Sequence, residues 1–96
     1  MKMQAVENKV QELIENLVAG ALDPRPHVDS GVVWINGSPW CISLEYWELV
    51  DGEVFVEEYG VVAGYPNRDS VAEIFVTIED IAEYICYGTR ELYKTR

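Results

Sequence analysis

The sequence predicts an α+β domain: a four-stranded antiparallel β-meander flanked by an N-terminal and a C-terminal α-helix, in the order α-β-β-β-β-α. Three features predict it. Apolar residues at the N-terminus recur at helical steps, Asp51-Gly52 separates two runs rich in β-branched and aromatic residues, and a second helical stripe follows Thr77. A chain of 96 residues with a hydrophobic fraction of 49% and three tryptophans makes residues 1–96 one small domain with a real core.

Met3, Val6, Val10, Leu13 and Leu17 lie three or four residues apart, with Ile14 and Val18 widening the same face. That spacing describes an amphipathic helix packed on a core. Gly20 is the expected stop, and Asp23-Pro24-Arg25-Pro26 prevents continuation. His27, the only histidine, falls in the proline-rich loop and reads as an exposed bystander.

Val32–Ile35 is expected to be a short strand. In Asn36-Gly37-Ser38-Pro39, a two-residue Asn-Gly turn would put Pro39 inside a strand, where it lacks a ladder donor. A four-residue loop pairing Ile35 with Trp40 is therefore expected. The central stretch, Trp40–Val62, follows as a hairpin about Asp51-Gly52, because a type I′ turn needs φ > 0 at both central residues. Residues 64–70 read as a loop and residues 72–76 as the fourth strand. Thr77 and Asp80 have capping-box spacing. Ile78, Ile81, Ala82, Ile85 and Leu92 form the second helical stripe, with Gly88 weakening its middle. Its acids precede its bases, in agreement with the helix dipole.

The formal charge is −10, and its distribution is uneven. Residues 41–83 carry eleven acids and only Arg68. Phosphate binding draws on Lys and Arg, so direct nucleic-acid binding is not expected and a basic partner is. Solubilisation is the competing explanation of the acidity. Cys41 and Cys86 are too few for a disulfide framework and are expected as two buried thiols. No apolar run has the length of a signal peptide core or a membrane span. A cytoplasmic location without membrane contact is the corresponding expectation.

With Asp51-Gly52 as a two-residue turn, paired residues sum to 103. One face then carries Ile42, Leu44, Tyr46, Glu48 and Val50 with Val61, Tyr59, Glu57, Phe55 and Glu53. The other carries Cys41, Ser43, Glu45, Trp47 and Leu49 with Val62, Gly60, Glu58, Val56 and Val54. A sheet with one wet face alternates apolar and polar residues, and neither face here does. Two helices on one side would leave the other to a partner protein or a second copy, whereas one helix on each side would cover both. The register also sets Glu45 opposite Glu58, an unfavourable like-charge pair unless a bulge at Asp51-Gly52 or Glu57-Glu58 changes the pairing.

Templates for catalysis and for cofactors find little support. The single histidine lies in a loop away from any candidate nucleophile, and no glycine-rich phosphate loop occurs. No catalytic residue, metal ligand or cofactor is therefore assigned. The size, acidity and element order resemble those of small virus- or phage-encoded host-inhibitory proteins and, more loosely, acidic secretion chaperones. That resemblance rests on shape and charge and implies no particular residue. The expected function is a non-enzymatic, acidic protein-interaction module, an inhibitor or decoy that contacts a basic protein surface through Glu45, Tyr46, Trp47, Glu48, Glu57, Glu58 and Tyr59. The alternatives are a homodimer or adaptor using the same sheet or first helix and, more weakly, a small-ligand binder.

Overall fold

The computed structural model describes residues 2–22 and 29–87. The expectations for His27, Gly88 and Leu92 lie outside the described residues, as do those for the Pro24-Pro26 segment and the basic C-terminal residues. The elements are α1 (Met3–Ala21), β1 (Ser30–Ile35), β2 (Ser38–Val50), β3 (Glu53–Ala63), β4 (Glu73–Phe75) and α2 (Ile78–Tyr87). The four strands form one antiparallel sheet in the order β1-β2-β3-β4.

Helix α1 buries Val6, Val10, Ile14 and Leu17, with Leu13 half-buried beside them. Gly20 is not its stop: the helix runs through Ala21, and the Leu22 N–H closes it on the Ala19 carbonyl at 3.2 Å. At the start of α2 the Thr77 hydroxyl accepts the Asp80 N–H at 3.1 Å, satisfying a donor that the first turn would otherwise leave open. Ile81, Ala82 and Ile85 are the buried stripe.

Both helices lie on the same side of the sheet. Val6, Val10 and Ile14 of α1 and Ile81, Ala82 and Ile85 of α2 form one cluster with Ile35, Ile42, Val61 and Phe75. Strand pairing places those sheet residues on one face, since Ile42 stands opposite Gly31 and Val61 while Tyr59 stands opposite Leu44 and Phe75. Phe75 also packs on the Tyr84 ring at 5.2 Å, with Trp40 meeting the same ring edge-on at 5.7 Å. The arrangement with one helix on each face is therefore not the one adopted.

The turn between β1 and β2 differs from the sequence expectation. Asn36 and Gly37 have φ of 51° and 79°, so they form a two-residue turn, and Ile35 pairs with Ser38 rather than Trp40. Pro39 does sit in the strand. It is tolerated because its backbone groups face away from β1. Alternate pairs bond in an antiparallel ladder, and the Leu44 N–H to Asp29 carbonyl bond of 2.8 Å fixes the bonded set as Asp29, Gly31, Val33 and Ile35. Pro39 stands opposite Trp34, in the other set, and its carbonyl accepts the Gly64 N–H at 2.9 Å. The missing proline donor therefore costs β1–β2 no bond.

Asp51 and Gly52 repeat the same geometry, with φ of 51° and 79°. The expected register holds from Cys41↔Val62 to Leu44↔Tyr59, and again from Trp47↔Val56 to Val50↔Glu53. Between these blocks Tyr46 stands opposite Glu58, which leaves Glu45 and Glu57 outside the pairing. One extra residue on each strand cancels the other, so the register resumes unchanged. The bulge replaces the Glu45–Glu58 opposition with Tyr46–Glu58.

Candidate functional site: the hairpin arm

Beyond Leu44 on β2 and Tyr59 on β3 the hairpin outgrows its neighbours. Strand β1 pairs β2 only as far as Ser43, apart from the Asp29–Leu44 bond, and β4 pairs β3 only from Tyr59 to Val61. Residues 45–58 therefore form a two-stranded ribbon, and the described molecule measures 42 × 25 × 25 Å. At about 3.4 Å per residue, six residues of each strand reach about 20 Å.

This arm lacks the buried residues of the sheet's base. Tyr46 is 53% exposed, Leu49 57% and Phe55 50%, while Trp47, Val54 and Val56 are half-buried. Pairing explains the partial burial: Trp47 faces Val56 and Leu49 faces Val54 across the ladder, so these four share a face. Glu48 with Phe55 and Val50 with Glu53 occupy the other. Each face thus carries exposed apolar surface. Glu45, Glu48, Asp51, Glu53, Glu57 and Glu58 supply six carboxylates, with no Lys or Arg between residues 45 and 58.

Six of the seven residues expected to bind a partner stand together on this arm. Glu45 is held by Ser43, whose hydroxyl donates to Glu45 Oε2 at 2.6 Å. Glu48, Glu57 and Glu58 are exposed, Glu57 at the bulge. Tyr59 differs. It is half-buried at the root of the arm, packs against the core, and has its hydroxyl pKa raised by that burial. Leu49, Val50 and Phe55 are exposed contact candidates that the sequence reading did not select. Their alternation with acids inside a hairpin was the available signal.

A second aromatic feature lies at the base. Trp34 is 51% exposed and its ring meets Tyr65 edge-on at 6.0 Å. Nearby, Cys41 is buried, and burial pushes its thiol pKa up, which disfavours the reactive thiolate. Cys86 is exposed, contrary to the expectation of two buried thiols, because it lies one residue past Ile85 and off the buried stripe. Among the described residues no group of three or more His, Cys, Asp or Glu side chains is placed to hold a metal, and no helix is long and apolar enough to cross a membrane.

Comparison with protein-family models, with curated proteins and with solved structures finds no match to this chain.

Proposed function

We propose that the chain is a non-enzymatic interaction module whose acidic hairpin arm, residues 45–58, docks on a basic protein surface. One observation carries this reading: a ribbon without helical cover among the described residues presents aromatic and aliphatic side chains among six carboxylates. Two-stranded hairpins are marginal alone in water, and exposed apolar patches of this kind commonly mark contacts. Aromatic anchors supply affinity on burial, while the carboxylates steer a basic partner and set its orientation. An inhibitor or decoy that occupies a basic surface fits this chemistry. Carboxylates along both open edges also deter unwanted strand addition, so the acidity serves the free arm as well.

The test is capture of basic proteins from a lysate by the immobilised chain at about 50 and 500 mM salt. Capture that fades at high salt, and is lost in both a Tyr46→Ser/Phe55→Ser variant and a Glu45→Gln/Glu48→Gln/Glu58→Gln variant, supports the arm. Capture unaffected by either variant rejects it.

A further inference from the structure

The two outer strands of the sheet end it in different ways. Strand β4 is three residues long and carries Glu73, so little ladder is left open there. Strand β1 is six residues long, Ser30-Gly31-Val32-Val33-Trp34-Ile35, and no charged residue occurs between Ser30 and Leu44. Edge strands are normally protected by charge, proline, a bulge or short length. Strand β1 has none of these.

Its open hydrogen-bonding groups can be assigned. Gly31, Val33 and Ile35 belong to the set bonded to β2, as the Leu44–Asp29 bond fixes. The N–H and C=O groups of Val32 and Trp34 therefore point outward, and among the described residues no strand pairs with them. Along this edge runs a groove of about 450 Å³ between α1 and β1, lined by Lys9, Glu12, Leu13 and Asn16 on the helix and by residues 32–34 on the strand.

We propose that this edge binds a second copy of the chain, β1 to β1 antiparallel about a two-fold axis, so that two four-stranded sheets become one of eight. The pattern is self-complementary. With Val33 opposite its symmetry mate, Val32 of each copy exchanges N–H···O bonds with Trp34 of the other. On the helix side the same axis brings the two α1 helices alongside one another at the groove. Lys9 of each copy, lining the groove, then faces Glu12 of the other. An isologous contact needs one patch to offer both members of each pair, and Lys9 with Glu12 does so. The neutral edge also lets two chains of charge −10 approach with their acidic arms held away from the axis. This contact is independent of the arm and gives each assembly two arms, which strengthens binding wherever a partner presents two basic sites.

Sedimentation velocity on the full chain from about 5 to 200 µM tests it. The expected result is a concentration-dependent species of twice 10.9 kDa. A 10.9 kDa species throughout that range overturns the proposal. Val32→Pro removes an outward donor and no bond to β2, so it should give a folded monomer by circular dichroism; a folded variant that stays dimeric overturns the edge assignment. Lys9→Glu should raise the dissociation constant about tenfold, and Lys9→Glu/Glu12→Lys should recover most of the loss. Equal weakening in both variants overturns the two-fold arrangement. Amide exchange of the unmodified chain decides the matter if Val32→Pro does not fold. Val32 and Trp34 should become protected as concentration rises, with Val33 and Ile35 unchanged, and protection independent of concentration overturns the proposal.

Discussion

The Ser43 hydroxyl donates to the Glu45 carboxylate at 2.6 Å, and this pair closes over the backbone of Gly60 on the neighbouring strand. A Cβ at residue 60 would stand 2.7 Å from Ser43 Oγ and 2.9 Å from Glu45 Cγ. Glycine at this position thus lets one strand hold a side-chain bridge that lies against the other, where the arm leaves the sheet. Gly60→Ala should destabilise the chain by about 1–2 kcal/mol, and Ser43→Ala by about 0.5 kcal/mol. Gly60→Ala creates this crowding and Ser43→Ala removes the oxygen that it meets, so the double variant should cost less than the sum of the two. Urea denaturation of the four proteins measures the coupling, and strict additivity would count against the bridge.

The arm and the core should respond differently to truncation. Phe55 is 50% exposed on the arm, whereas Phe75 is fully buried beneath both helices. Phe55→Ser should change unfolding free energy by less than about 1 kcal/mol, while Phe75→Ala should cost about 3–5 kcal/mol. Comparable losses in thermal or urea unfolding would mean that the arm is part of the stabilising core.

Stability should fall at alkaline pH. Burial raises the pKa of Tyr59, and burial together with the Glu73 carboxylate raises that of Tyr84, both above the ordinary value of 10.0. As pH rises past that value the unfolded chain loses these protons first. The stabilisation is therefore complete below it and is lost as pH climbs through the folded-state values. Denaturation at about pH 8 and pH 11 should show the fall, and Tyr59→Phe should reduce it. An unchanged pH slope in Tyr59→Phe would remove Tyr59 as a contributor.

The cysteines should separate by accessibility. Cys86 is exposed and Cys41 is buried with a raised pKa. A maleimide at neutral pH should label Cys86 in the native chain and reach Cys41 only after unfolding. Mass spectrometry of the digested product distinguishes the two, and rapid native labelling of Cys41 would contradict its burial.

Local patterns made most of the fold legible. Helical spacing located α1, β-branched runs and Asp51-Gly52 located the central hairpin, and Thr77 located the start of α2. Asn36-Gly37 was misread because the proline penalty was applied without knowing which side of Pro39 faces a neighbour. Such a penalty depends on ladder phase, which two strands set jointly. The candidate site was legible as a stretch and less so residue by residue. Tyr59 belongs to the root of the arm and Phe55 to its open surface, although both are aromatic residues on the same strand.

The sequence by itself determined the element order, the register about Asp51-Gly52 and the concentration of acid in one hairpin, because turn chemistry and periodicity act over a few residues. Only the tertiary structure decided that both helices cover one face, that β1 and β4 stop short of the arm, and that a double bulge parts Glu45 from Glu58. Those outcomes depend on where separate elements end against one another. A residue's exposure is set by that meeting rather than by its neighbours in the chain.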